Sequence, residues 1–179
     1  MIKTGWDRQI ETVRLILQPV SDKYKKEICD EFTTEVTTFM PFTPNGNIMD
    51  TEAFIQRSKE ELKNGTAIHF CIIKKESNEF LGCCGLHDID TSEVEIGLWL
   101  KTTIHRKGYG TETVGALVKF AEEDLAVDYI IYPVDKDNIP SRKIPEKLGF
   151  RLQRRYEKKK SETEILHIVE YRKQVKHEL

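Results

Sequence analysis

A chain of 179 residues has room for one domain of about 150 residues or slightly more, and is expected to fold as a single unit over 1–179 without disulfide or metal staples. Its 28 Lys and Arg against 30 Asp and Glu leave a net charge of −2, which excludes a globally basic DNA binder. With 39% hydrophobic and 32% charged residues it is neither collagen-like nor extensively disordered, and no apolar run approaches the roughly 18 residues of a membrane span.

In chain order, a first strand fits Thr12–Leu17, stopped by Pro19. Ser21 is placed to cap a helix reaching Phe32, with Tyr24, Ile28 and Phe32 on one face. The stretch Thr37–Asn47, with two prolines and Asn45-Gly46, is a loop long enough to act as a lid. Asp50 can cap a second helix carrying Phe54, Ile55 and Leu62, ended by Asn64-Gly65. The period then changes. Ile68–Lys74, Phe80–Leu86 and Glu93–Leu100 are short β-prone runs separated by polar breaks, which predicts an antiparallel meander. In the third run Val94, Ile96, Leu98 and Leu100 share one face, and Glu93, Glu95, Gly97 and Trp99 share the other. A helix over Gly110–Leu125, a strand over Tyr129–Val134, a short helix over Pro140–Leu148 and a hairpin of Phe150–Tyr156 with Ile165–Tyr171 complete the chain. The predicted order is β-α-α-β-β-β-α-β-α-β-β: an α/β (α+β) fold with a mixed, mostly antiparallel central sheet flanked by helices.

Cys29, Cys71, Cys83 and Cys84 form no disulfide framework and no C-x-x-C. The segment Met1 to Gln18 has only Leu15-Ile16-Leu17 as an apolar block, so no export signal is expected and the thiols are read as reduced, in the cytoplasm. Cys83, Cys84 and His87 match no common zinc spacing, so no metal is expected. Residues 1–100 carry a net −6 and residues 101–179 a net +4. Nine Lys and Arg against Glu146 and Glu157 fill residues 142–160, either the solvated face of a hairpin or a surface for a 3′-phosphate or RNA.

The segment His105-Arg106-Lys107-Gly108-Tyr109-Gly110-Thr111 lies between a strand and a helix start. Two glycines let the backbone turn tightly and approach a ligand, and the first helical N–H groups are unpaired at the positive end of the dipole. Together they make a phosphate cradle, to which Arg106 and Lys107 add charge. No Walker loop is present, and Gly108-x-Gly110-x-x-Thr113 lacks the third glycine of a dinucleotide fingerprint, although Asp128 stands at the distance of its acidic residue.

A second segment, Asp137 to Phe150, follows the next strand and would sit beside that loop. Together, the glycine loop, the run Asn138…Ser141…Glu146-Lys147-Leu148-Gly149-Phe150 and the order of elements resemble the GNAT N-acetyltransferase superfamily. Glu11-Thr12-Val13-Arg14-Leu15-Ile16-Leu17 and Glu95-Ile96-Gly97-Leu98-Trp99-Leu100 resemble its branch that acetylates N-terminal amines of ribosomal proteins. The chain departs from the pattern at His105, where Arg or Gln is usual, at Arg106, where Gly is usual, and at Pro145, where many members carry a tyrosine acid.

The resemblance implies acetyl-CoA as co-substrate, its diphosphate on residues 105–111, its pantetheine arm between the strands at 93–100 and 129–134, and Asn138 and Ser141 beside it. Backbone N–H groups of Leu98, Trp99 and Leu100 would polarise the thioester, and Ser141 would protonate the leaving thiolate. Glu95 is the candidate base for a primary amine, which is protonated at neutral pH. Pro145 removes a donor to the carbonyl of Ser141 if the helix runs through it, or sits in the first turn if the helix begins at Ile144. The acceptor is a protein N-terminus or a small amine, and a homodimer is compatible with the resemblance. The alternatives are a catalytically silent acyl-CoA-binding module and a dinucleotide-binding enzyme.

Overall fold

Alternating apolar residues in the middle of the chain build the sheet on which everything else is mounted. The computed structural model describes residues 5–175. Among them β1 (Ile10–Glu11), β2 (Leu15–Pro19), β3 (Ala67–Lys74), β4 (Glu79–His87), β5 (Glu93–Leu100), β6 (Tyr129–Asp135), β7 (Arg151–Lys159) and β8 (Ile165–Gln174) form one sheet. Its order is β1-β2-β3-β4-β5-β6-β8-β7. All neighbours are antiparallel except β5 and β6. A parallel pair needs a crossover, supplied by α3 (Tyr109–Asp124). The other helices are α1 (Lys25–Glu31), α2 (Ile48–Asn64) and α4 (Ile139–Lys147).

The sheet is buried on both faces at its centre. On one face Ile68, Phe70 and Ile72 of β3, Val94 and Ile96 of β5, and Val114 and Leu117 of α3 form the larger core. On the other, Cys71, Ile73 and Cys83 pack with Tyr24, Ile28 and Ile55 around α1 and α2. Each fully buried aliphatic side chain contributes about 1.5–3 kcal/mol relative to exposure. The neighbours Cys83 and Cys84 fall in different core layers, as strand alternation requires.

The predicted architecture stands, with three local corrections. The first strand is two: Thr12 to Arg14 turn between β1 and β2, and Pro19 ends β2 from inside, pairing with Phe70. The helix predicted from Ser21 is a 3-10 turn at Asp22–Tyr24 followed by α1, and the Ser21 side chain makes no capping bond. The cap of α2 is Asn47, whose side chain accepts from the Met49 N–H, so Asp50 lies in the first turn instead. The only irregularity in the central strands is in β4, where the pairing shifts past Leu81 and Gly82 takes φ +152°; β5 runs without a bulge.

Candidate active site

β5 and β6 pair only at Glu93–Tyr129, Val94–Ile130 and Glu95–Ile131. β5 then continues to Leu100 and β6 to Asp135 without facing each other. The strands diverge, opening a V at their C-terminal ends. On its other edge β5 stays paired with β4 as far as Leu100–Gly82. Backbone groups of Gly97, Leu98, Trp99 and Leu100 that point into the V therefore have no strand partner, and a ligand can take the place of one.

The glycine loop lies at the mouth of this V. After a 3-10 turn at Thr102–Ile104, the His105 imidazole Nε2 lies 2.9 Å from the Leu100 carbonyl, tying the loop to the end of β5. Gly108 caps α3 with φ +81°, a left-handed conformation that glycine adopts without strain. The first-turn amides of α3, beginning at Tyr109, Gly110 and Thr111, have no intrahelical acceptor. Gly110 serves a purpose the sequence did not reveal. A Cβ there would lie 2.9 Å from Ile144 Cδ1 and 3.6 Å from methyls of Leu98 and Leu100, so its absence lets α3 close against α4 and β5. The Tyr109 side chain is buried under the Arg14 guanidinium, leaving its backbone N–H as its part in any ligand site.

Arg106 holds φ +62° without being glycine. That conformation strains an ordinary residue by about 1–2 kcal/mol. Arg106→Gly is therefore expected to raise the unfolding free energy by about 1 kcal/mol, less whatever backbone entropy the glycine adds to the unfolded chain. Chemical denaturation of both proteins checks this, and a destabilised variant would mean that the Arg106 side chain holds the loop.

Ser141 enters from α4. The Asn138 side chain caps that helix, accepting from the Ser141 N–H at 3.3 Å, so its carbonyl is already committed within the protein. The helix runs through Pro145, which excludes a start at Ile144 and leaves the Ser141 carbonyl without its usual donor. Ser141 Oγ lies 2.8 Å from the hydroxyl of Tyr132 on β6. Burial pushes the Tyr132 phenol up to about 12, so it stays protonated at neutral pH. Tyr132 is absent from the sequence reading because it sits in an apolar strand run that reads as core; the one available signal was a hydroxyl in that run.

Glu95 lies on the opposite face from Val94 and Ile96, in register with His87 of β4 and Ile131 of β6. Burial raises its pKa, with Lys158 pulling the other way. Beside it, His87 is held down to about 4 by burial and then by His69, and is neutral. The two imidazoles are 4.9 Å apart, and His69 Nε2 lies 2.8 Å from Glu61. Gly97 leaves room for this row, since a Cβ there would lie 2.9 Å from His87 Nε2. Trp99 packs against Phe32 at 5.1 Å and Phe80 at 5.9 Å. The hairpin tip is tied to the loop after α1 by Lys160, whose ammonium donates to the carbonyls of Thr37 and Thr38. The carboxylate and the hydroxyl pair thus flank the V from opposite faces of the sheet.

Burial raises the thiols of Cys83 and Cys84, keeping them protonated and unreactive. In the basic stretch, Arg154 is forked onto Glu170, and Arg142 donates to Tyr171 and the Lys136 carbonyl. Arg151, Arg155, Lys158 and Lys159 are exposed on β7. Among the described residues no helix is long and apolar enough to cross a membrane.

Residues 14–151 match the family model described as the acetyltransferase (GNAT) domain. A relative from Bacillus licheniformis named uncharacterized N-acetyltransferase p20 is 32% identical over 155 residues, covering 83% of this chain and 87% of its own. Mycobacterium smegmatis RimJ in complex with CoA-disulfide superposes with a TM-score of 0.85 at 16% identity, covering 95% of this chain and 88% of that one. The microcin C7 self-immunity acetyltransferase MccE, in complex with acetyl-CoA and AMP, superposes with a TM-score of 0.81 at 20% identity, over 92% and 94% of the two chains.

Proposed function

The chain belongs to the GNAT acetyltransferase family, and on that premise we propose that it moves an acetyl group from acetyl-CoA directly to a primary amine. The observation that carries this reading is the divergence of β5 from β6 at the mouth of the Gly108 loop, which leaves a strand edge and a helix N-terminus facing one cleft. The residues fit the donor. The amides at Gly108–Thr111 suit its diphosphate, and the free edge of Gly97–Leu100 suits an amide-bearing pantetheine arm.

In the proposed reaction Glu95 takes a proton from the ammonium of the acceptor, and the freed amine attacks the thioester carbonyl. A backbone N–H of Leu98–Leu100 stabilises the developing oxyanion. The C–N bond forms in a tetrahedral intermediate whose collapse breaks the C–S bond, and the nitrogen releases its remaining extra proton to solvent as it becomes an amide. Ser141 donates its proton to the departing thiolate and regains one from solvent, relayed by the Tyr132 hydroxyl. A half-buried carboxylate on the acceptor side favours a cationic substrate, so a protein N-terminal amine or a small-molecule amine fits. RimJ in complex with CoA-disulfide and MccE in complex with acetyl-CoA and AMP share this scaffold.

The test is thiol release from acetyl-CoA over a panel of N-terminal peptides and small amines, with the acetylated product identified by mass. No product from any amine, with coenzyme A still bound, would leave a binding module instead. With a confirmed acceptor, Ser141→Ala is expected to lower kcat at least about tenfold with little change in KM, the effect of losing a positioned acid. An unchanged kcat removes Ser141 from the proton path.

A further inference from the structure

The N-terminal run Glu11–Leu17 takes no part in the chemistry just described, yet two of its side chains reach the phosphate loop. Arg14 Nη1 donates to the Lys107 carbonyl at 3.0 Å, and Nε donates to Glu112 Oε2 at 2.7 Å. Its guanidinium lies 4.3 Å from the Tyr109 ring centroid. The other Glu112 oxygen accepts from Thr12 Oγ1 at 2.6 Å and from the Arg14 N–H at 2.8 Å. One turn between β1 and β2 therefore grips residues 107, 109 and 112, the last residues before α3 and its first turn.

We propose that Arg14 is a positioning residue that sets the backbone of the Gly108 loop and thereby the affinity for the diphosphate of the acyl donor. This rests on the reading of that loop as the diphosphate site. The reason is geometric. Across a trans peptide the carbonyl of one residue and the N–H of the next point in opposite directions. Holding the Lys107 carbonyl toward Arg14 turns the Gly108 N–H away from Arg14. The same fork neutralises Glu112, a carboxylate in the first turn of α3 that would otherwise repel an anion at that helix end. Only a planar guanidinium spans both partners; an ammonium supplies the charge but not the fork. Thr12 and the Arg14 backbone fix the Glu112 carboxylate that the fork grips.

The experiment compares wild type with Arg14→Lys and Arg14→Ala in coenzyme A titration calorimetry, and in turnover with acetyl-CoA and with S-acetylpantetheine, which has no diphosphate. Both variants are expected to bind coenzyme A about tenfold more weakly, the scale of one lost charge-assisted hydrogen bond. Their kcat at saturating acetyl-CoA should stay within about twofold of wild type, and kcat/KM for S-acetylpantetheine should be equally unaffected. An Arg14→Lys protein that binds coenzyme A like wild type overturns the proposal, because charge alone then suffices. An equal loss with S-acetylpantetheine also overturns it, because the damage is then general. If Arg14→Ala does not fold, Arg14→Lys alone decides between these outcomes. Wild-type protein that binds no coenzyme A overturns the reading of the loop itself, and the brace with it.

Discussion

Glu95→Gln is expected to lower kcat about a hundredfold at neutral pH, the size of effect a positioned general base supplies. The amide keeps the shape of the carboxylate and loses only its ability to accept the ammonium proton. Burial raises the Glu95 pKa, so in wild type the base form appears as pH climbs through a value above that of an exposed glutamate. The log of kcat should rise along that limb and then level, and the limb should be missing in the variant. His87, already neutral from about pH 4 upward, adds no second limb there. Stability should move the other way. A folded-state pKa above the unfolded one means that the native state holds the proton more tightly, so stability is lost as pH rises from the unfolded value through the folded one. Gln carries no such penalty, so the melting temperature of the variant should gain on wild type over that window. Equal kcat values at pH 7, with the acceptor confirmed, remove Glu95 from the role.

The largest structural effect is expected at Gly82. A Cβ there would lie 2.1 Å from the Trp99 carbonyl oxygen and 2.9 Å from the Leu100 Cα, on a backbone with φ +152°. These are backbone atoms of the neighbouring strand, which cannot swing aside as a side chain can. Gly82→Ala is expected to destabilise the protein by about 4 kcal/mol, near the upper end of what single substitutions do. That corresponds to about 10 °C in melting temperature for a chain of this size. Because Trp99 and Leu100 belong to the stretch of β5 that runs beyond its pairing with β6, the variant should also bind coenzyme A more weakly. Gly85→Ala is the comparison: its Cβ would meet His69 Nδ1 at 3.0 Å and the Ile68 carbonyl oxygen at 3.1 Å, about an ångström farther from backbone than the clash at Gly82. Thermal melts of the two variants check the ranking, and a milder Gly82→Ala would mean that β4 can slide past the end of β5.

Features governed by local chemistry were readable in the sequence. The alternation along β5, the 3.6-residue period of α3 and the glycine that begins it each follow from a few neighbouring residues. Wherever two local solutions compete, the outcome depends on the rest of the protein. Asn47 and Asp50 are both competent caps for α2, and the chain uses the earlier one. Most of what was hidden is non-local. Tyr132 meets Ser141 only because α4 folds back over β6. Gly110 looks like a ligand-facing glycine until Ile144 arrives beside it. Glu112 is 98 residues from Arg14, and no pattern along the chain announces that pair. The insertion of β8 between β6 and β7 is likewise a property of the assembled sheet.

Three residue pairs make up the whole β5–β6 ladder, so the strand pairing at the centre of the sheet is short. On the proposed reading, an acyl donor lying in the gap would act as rivet as well as reagent, since it would occupy strand edge that the protein leaves bare. Ligand linkage then adds about 2.7 kcal/mol to the folded state when free donor stands at a hundred times its dissociation constant. The heat tolerance of this protein would follow the size of the coenzyme A pool around it, and a starved cell would hold a softer enzyme than a well-fed one.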